Sequence, residues 1–165
     1  MNYIIDGHNL IAKIPGLDLS MLDDEQRLIE LLNRYGQHSR GRIEVYFDGA
    51  PVGQAGAQNY GRVQAHFVPH SQTADDAIRV RLIRLGRAAR NWVVITSDRS
   101  VQAAGREALA GVLSAEEFAR LLQANLLQAS QSARPENEGR AADEPISEAE
   151  VNEWLTIFKE RGKPK

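Results

Sequence analysis

Three short apolar runs, each followed by an aspartate, constrain the fold of this chain more than any other feature of its sequence. The runs and their acids are Tyr3-Ile4-Ile5 before Asp6, Val45-Tyr46-Phe47 before Asp48, and Val93-Val94-Ile95-Thr96-Ser97 before Asp98. β-Branched and aromatic runs that end at a turn signal are typical of buried strands. Helical patterns separate them, and strands that alternate with helices favour a mostly parallel sheet covered on both faces. We therefore predict an α/β fold, a three-layer α/β/α sandwich.

The remaining elements are predicted from periodicity and helix-capping residues. We expect helices from Ser20 to about His38, from Thr73 to about Arg90, over 100–107, and after the Ser114–Glu117 capping box. We expect two further strands, Val63–Val68 at a sheet edge and Gly111–Leu113. Residues 10–19 and 49–61 are predicted to be loops, and Gly7 to permit a tight turn after the first strand.

The composition changes near the C-terminus. Polar residues, glycine and proline dominate residues 130–145, whereas Val151, Trp154, Leu155 and Phe158 recur at helical spacing afterwards. We therefore predict a domain over residues 1–128, a flexible linker over 129–145, and an amphipathic helix over 146–165 that docks on the domain.

The amino-acid composition indicates the cellular compartment and excludes some kinds of site. The 165 residues include no cysteine, which excludes disulfides and thiolate metal sites and fits a reducing cytoplasm. We expect neither a signal peptide nor a transmembrane helix, because Asp6 interrupts the early apolar run. The net charge of −2 does not exclude nucleic acid, since local patches govern phosphate contacts.

The carboxyl ends of parallel strands share one edge of a sheet, so Asp6, Asp48 and Asp98 are predicted to lie together. Asp75 and Asp76 open a helix beside them. Each aspartate also has a structural explanation, as a turn residue or as a partner of the helix dipole. Together, crowded carboxylates repel one another, and Mg²⁺ or Mn²⁺ with oxygen ligands relieves that repulsion.

Such a site suits in-line hydrolysis of a phosphodiester. The sequence contains no Walker A motif, no nucleophile elbow and no H-E-x-x-H motif. A glycosidase needs only two carboxylates, fewer than this set provides.

Several polar residues flank these aspartates. Asn9 can orient a water or a phosphate oxygen, or stabilise its own loop. Ser97 and Arg99 adjoin Asp98, and Arg99 can bind phosphate. His8 is a candidate base or substrate contact.

Substrate contacts are also predicted farther along the chain. In and beside the Gly49–Gly61 loop, Tyr60 can stack on a base and Arg62 can contact a phosphate. Arg79 belongs to a row of arginines on one helix. Arg87 and Arg90 of this row are expected to form a solvated helix face, whereas Arg79 is either part of that face or part of a phosphate-tracking stripe.

Four ordered motifs and a C-terminal segment then resemble one known family. They are Ile4-Ile5-Asp6-Gly7-His8-Asn9, Val45-Tyr46-Phe47-Asp48-Gly49, Thr73-Ala74-Asp75-Asp76, Val94-Ile95-Thr96-Ser97-Asp98-Arg99, and Gly111 to Phe118. Over roughly residues 1–128 the chain is similar to the YacP-like NYN domains, which have a PIN-like fold.

The resemblance implies a metal-dependent endoribonuclease that acts on single-stranded RNA, with messenger RNA on ribosomes as the substrate. It implies Asp6, Asp75, Asp76 and Asp98 as the acidic site, with Asp48 and Asn9 close by. One departure is His8, where relatives usually have tyrosine.

Two other functions stay open. An RNA- or ribosome-binding module can retain an acidic rim that no longer cuts. A phosphatase of the aspartyl-phosphate type also has an aspartate after its first strand, but it usually needs a second acid two residues on, where His8 stands.

Overall fold

A computed structural model describes residues 1–20, 22–50 and 53–132 of the chain. The strands of this part are β1 (Asn2–Asp6), β2 (Ile43–Ala50), β3 (Gly56–Tyr60), β4 (Val63–Pro69), β5 (Trp92–Ile95) and β6 (Gly111–Leu113). Its α-helices are α1 (Gly7–Ile11), α2 (Asp24–Gly36), α3 (Ala74–Leu85), α4 (Arg99–Glu107) and α5 (Ala115–Ser132). A 3₁₀ segment, Gly86–Asn91, connects α3 to β5.

The strands form one sheet in the order β3-β4-β2-β1-β5-β6. Every neighbouring pair is parallel except β3 and β4, which are antiparallel. β1 lies between β2 and β5, so its Asp6 emerges at the centre of the carboxyl edge. The predicted mostly parallel sheet is confirmed.

Different helices cover the two faces of the sheet. Tyr3 and Ile5 of β1 belong to a core with apolar residues of α1, α2 and α5. Ile4, which points the other way, belongs to a second core with residues of α3 and α4. Successive strand side chains alternate between faces, so β1 is buried on both sides. The three-layer α/β/α sandwich is confirmed.

The expectation that residues 49–61 form a loop was wrong in its second half. β3 occupies the sheet edge there, and β4, predicted at the edge, lies between β3 and β2. The sequence Gly-Ala-Gln-Asn-Tyr has low strand propensity, and its first four residues are exposed, so no buried face produces an alternating pattern.

The first turns after β1 also differ from the prediction. Residues 7–11 form the short helix α1, capped by Asp6, where a turn and then a loop were expected. α2 begins at Asp24 rather than at Ser20. A five-residue helix is too short to show apolar periodicity, which explains why the pattern missed α1.

The predicted caps of α3 and α5 are confirmed. The Thr73 hydroxyl accepts a hydrogen bond from the Asp76 amide at 3.1 Å. Ser114 and Glu117 make the reciprocal bonds of a capping box, at 3.2 Å and 3.0 Å. Both helices therefore begin at the carboxyl edge of the sheet.

A partly buried ion pair that the sequence did not reveal joins α3 to β2. Arg81 donates two hydrogen bonds to Glu44, each 2.7 Å long, and the guanidinium carbon lies 5.2 Å from the Trp92 ring centroid. Tyr46 donates a third bond to Glu44 at 3.2 Å. Bidentate geometry and the extra donor compensate the Glu44 carboxylate for the water it loses on burial.

The predicted domain boundary at residue 128 stays a prediction, and α5 continues past it to Ser132. Most of the predicted linker and the whole terminal helix, including Trp154, lie outside the described residues and stay predictions. Over the ranges that the structure describes, no helix is both long and apolar enough to cross a bilayer.

Gly7 is required for close packing rather than for a turn. Its φ is not in the left-handed region, and it is the first residue of α1. A Cβ atom at Gly7 would overlap the Phe47 ring and lie 2.8 Å from the Tyr46 carbonyl oxygen. Only glycine lets α1 begin this close to β2.

We predict that Gly7→Ala lowers the free energy of unfolding by about 1–3 kcal/mol, because the new methyl group overpacks against β2. Urea unfolding followed by circular dichroism measures the change. Gly36→Ala is a matched control, since its nearest contact is 3.2 Å away and alanine favours a helix. Equal effects of the two substitutions would contradict the packing argument.

Candidate active site

Asp6 lies at the centre of the candidate site, at the end of β1, and is 7% exposed. One carboxylate oxygen accepts the Asn9 amide at 3.3 Å and caps α1. The other accepts the Thr96 hydroxyl at 3.2 Å. These two bonds, from α1 and from the end of β5, fix the orientation of the carboxylate.

Strand alternation explains which side of the sheet the site faces. Residues two positions apart in a strand point to the same face of the sheet, so Asp6 shares a face with Ile4, Asp48 with Tyr46, and Thr96 with Val94. Ile4, Tyr46 and Val94 all belong to the core beneath α3 and α4. The polar residues that end these strands therefore project toward the amino ends of α3 and α4.

Asp48 is exposed and holds the start of α3 in place. Its carboxylate accepts a hydrogen bond from the Ala74 amide. The next two residues, Asp75 and Asp76, occupy the first turn of α3, with Asp75 half-buried and Asp76 exposed. Asp76 accepts a hydrogen bond from Arg79 at 3.3 Å.

Asp98, which follows β5, is the N-cap residue of α4. One of its oxygens accepts the Ser100 amide at 2.7 Å, the Ser100 hydroxyl at 2.5 Å and the Val101 amide at 3.0 Å. The bonds from Ser100 lower the pKa of Asp98. Asp98 is therefore an anion at neutral pH with one oxygen committed to the helix cap.

The aspartates affect one another electrostatically. Burial raises the pKa of Asp6 to about 6, the charges of Asp75 and Asp48 raise it too, and its two hydrogen bonds act in the opposite direction. Burial is also the main cause that raises the pKa of Asp75, and repulsion from Asp98 is the second. The charge of Arg79 lowers the pKa of Asp75, whereas the charges of Asp48 and Asp76 raise it by smaller amounts. Asp6, Asp48, Asp76 and Asp98 therefore each lie close enough to Asp75 for their charges to interact with it.

The donor set fits a hard divalent cation. All of these groups are carboxylates, and a cation relieves the repulsion that raises the pKa values of Asp6 and Asp75. Among the described residues, however, no three acidic or histidine side chains stand at the separations of a preassembled metal centre. Any ion held here therefore draws the carboxylates closer or completes its shell with water.

A second network beside Asp6 contains residues that the sequence did not single out. Asn9 accepts the Ser97 amide at 2.9 Å, and the Ser97 hydroxyl donates to Glu116 of α5. Lys13 pairs with Glu116 at 2.8 Å, and the bonds from Lys13 and Ser97 lower the pKa of Glu116 to about 2. Glu116 lies inside the predicted Ser114–Glu117 capping box, and no other feature of the sequence pointed to this residue.

Two of the predicted substrate contacts lie away from the acids. Tyr60 pairs with Val63, and Val63 with Ile43, so Tyr60 and Arg62 lie at the amino end of the sheet, opposite Asp6. The Tyr60 ring packs partly against the core, and Arg62 donates a bond to the Ser39 carbonyl at 3.3 Å. The structure does not bring these two residues together with the aspartates.

The other predicted contacts surround the acidic edge. His8 hydrogen-bonds Glu25 at 3.0 Å and packs against Phe47, with ring centroids 5.6 Å apart; the bond to Glu25 raises the pKa of His8. Arg99 is exposed at the first residue of α4. Arg79 donates to the Ser100 hydroxyl at 2.7 Å as well as to Asp76.

Comparison with known proteins identifies the family. The model of the YacP-like NYN domain matches residues 3–159. The chain belongs to the YacP-like NYN domain family. The predicted resemblance is therefore confirmed. YacP-like NYN domains are nuclease-like and generally depend on a divalent metal ion, which agrees with the coarser prediction of a nuclease-type function related to RNA.

Solved structures support the YacP-like fold. The chain is similar to the crystal structure of Rae1 (YacP) from Bacillus subtilis, with 25% identity, a TM-score of 0.69, and 98% and 95% of the two chains covered. It is also similar in fold to a tryptophan-to-leucine mutant of that protein, with 24% identity, a TM-score of 0.65, and 79% and 80% covered. No curated protein sequence gives a significant match.

The buried position of Asp6 predicts that Asp6→Asn stabilises this YacP-like domain when metal is absent. The folded-state pKa is raised from 3.8 to about 6, so the free energy of unfolding of the natural protein falls as pH rises through that interval. Each pKa unit corresponds to about 1.4 kcal/mol, which gives a gain of up to about 3 kcal/mol at pH above the folded-state pKa. Asparagine caps a helix as well as aspartate does.

Urea unfolding in EDTA, at one pH near the unfolded-state pKa and one well above the folded-state pKa, measures this gain. We expect the difference between Asp6→Asn and the natural protein to vanish at the lower pH. A loss of stability in Asp6→Asn at the higher pH would contradict the electrostatic argument.

Proposed function

We propose that this YacP-like domain is a divalent-metal-dependent endoribonuclease that hydrolyses phosphodiester bonds in single-stranded RNA. The observation that carries the proposal is the buried Asp6 carboxylate, which two hydrogen bonds orient and which the charges of Asp75 and Asp48 surround. A helix cap or a turn alone needs no such cluster of like charges. A cation and a phosphodiester substrate account for it.

In this proposal Asp6, Asp76 and Asp98 hold the metal, which is Mg²⁺ or Mn²⁺. A bound ion would activate a water and neutralise charge on the phosphate oxygens. Asp98 contributes the oxygen that the α4 cap leaves free, and Asp76 the oxygen that Arg79 does not occupy. Asp6 contributes the fixed carboxylate at the centre of the edge.

Asp75 is the catalytic base of the proposed reaction. Burial and neighbouring acids raise its pKa, so its carboxylate accepts a proton from water more readily than an ordinary aspartate does. Asn9 and Ser97 support the site through their mutual hydrogen bond, and Asp48 holds Asp75 in place through the Ala74 amide. His8, Arg79 and Arg99 are the residues near the edge that can contact the RNA.

The finer substrate assignment, messenger RNA on ribosomes, follows from the family resemblance. A splayed single strand suits this edge, where Asp48 and Asp76 are exposed, because its backbone is accessible without melting a duplex. The same exposure is compatible with a ribosome-bound substrate.

A second function is favoured by one observation. Because the described carboxylates do not form a preassembled metal centre, the domain can instead be a non-catalytic RNA- or ribosome-binding module. This alternative predicts RNA binding that survives EDTA and no product with any divalent metal.

We predict that combining Asp6→Asn with Asp76→Asn lowers the rate of RNA cleavage at least about a hundredfold, since the double variant loses two proposed ligands. The assay uses a messenger RNA fragment with Mn²⁺ or Mg²⁺ and resolves the products by electrophoresis. Asp18→Asn is the matched control, because Asp18 is exposed and accepts a hydrogen bond from the Ser20 amide of its own loop.

A thermal-shift titration gives a readout independent of activity. Mn²⁺ is expected to raise the Tm of the natural protein and of Asp18→Asn, and to leave the Tm of the double variant unchanged. Full cleavage by the double variant would overturn the site assignment.

A further inference from the structure

A groove with arginines and exposed apolar residues lies between α3, the 3₁₀ segment and α4. Its volume is about 590 Å³, and its lining includes Arg79, Ile83, Arg87, Arg90, Glu107 and Leu109. Its lining includes none of the aspartates proposed for catalysis and no residue of the polar network around Glu116.

The charge of the groove is opposite to that of the chain. Three of the lining residues are arginines and one, Glu107, is acidic, whereas the whole chain has a formal charge of −2. Arg87 and Arg90 are exposed, and within the described part of the chain no carboxylate pairs with them. The groove is therefore a local site for a polyanion on a weakly acidic protein.

Leu109 occupies a backbone position that favours glycine. Its φ is 62°, and it ends α4 with Schellman-type bonds, from the Ala110 amide to the Gly105 carbonyl and from the Leu109 amide to the Arg106 carbonyl, each 2.9 Å long. Leu109 is nevertheless 60% exposed, and Ile83 across the groove is 77% exposed. A strained and exposed apolar side chain does not serve the core, so it is available to a ligand.

Arg79 connects this groove to the acidic edge. It lines the groove and also contacts Asp76 at 3.3 Å and the Ser100 hydroxyl at 2.7 Å. Ser100 in turn donates to Asp98. The end of the groove at Arg79 is thus one side chain away from two of the proposed metal ligands.

We propose that this groove binds the RNA strand on one side of the cleavage position, as an extension of the proposed nuclease site. Arg87 and Arg90 contact backbone phosphates, and Ile83 and Leu109 contact base faces. The proposal rests on the proposed function for the identity of the polymer. The positive charge favours a nucleic acid strand over an acidic protein segment because arginines spaced along a groove match a repeating phosphate.

The test compares the natural protein with Arg87→Gln/Arg90→Gln in EDTA, by fluorescence anisotropy with single-stranded RNAs of about 4 and about 16 nucleotides. We expect the double substitution to weaken binding of the long RNA roughly tenfold and to reduce the salt slope by about 0.7 for each phosphate that is no longer neutralised. Binding of the short RNA, which does not reach the groove, should be unchanged. Arg120→Gln, an exposed arginine of α5, is the matched control.

A second variant tests the apolar contact without removing charge. Leu109→Gly relieves the left-handed strain and should raise Tm by about 3 °C while weakening binding of the long RNA. A higher Tm with unchanged affinity would overturn the base contact at Leu109.

The outcomes separate this proposal from the proposed function. Undiminished affinity and salt slope in Arg87→Gln/Arg90→Gln would overturn the groove and make an acidic protein segment the better occupant. If these substitutions weaken long-RNA binding but the natural protein gives no product with any divalent metal, the groove stands and the nuclease proposal fails.

Discussion

The alternation of side chains along the three central strands is the constraint on which the site depends. Because β1, β2 and β5 are parallel and in register, Asp6, Asp48 and Thr96 leave the sheet on the same face. That face is the one covered by α3 and α4, whose amino ends carry the other acids. A shift of one residue in any of these strands would send its polar end to the opposite layer.

This arrangement lowers the stability of the folded chain at one residue. Asp6 is buried among like charges, and its raised pKa records the free energy that the folded chain loses when Asp6 ionises. The Asn9 amide and the Thr96 hydroxyl recover part of that loss. A carboxylate kept under these conditions is better explained by a ligand than by the fold.

The parts of the molecule predicted from sequence are those with a strong local signal. The buried strands, the caps at Thr73 and Ser114, and the convergence of the aspartates follow from apolar runs, capping residues and parallel topology. β3 has no buried face, and the Glu44–Arg81 pair joins residues 37 positions apart, so neither leaves a local pattern. Glu116 was hidden because a glutamate in the first turn of a helix is ordinary.

The Glu44–Arg81 pair has a consequence for the positions of the acidic side chains on α3. A planar guanidinium that grips both oxygens of a carboxylate fixes direction as well as distance, which a single-point ammonium contact does not. The pair therefore fixes the rotational orientation of α3 about its own axis. Asp75 and Asp76 lie less than two turns earlier on that helix, so the same pair also fixes the direction in which their side chains leave α3.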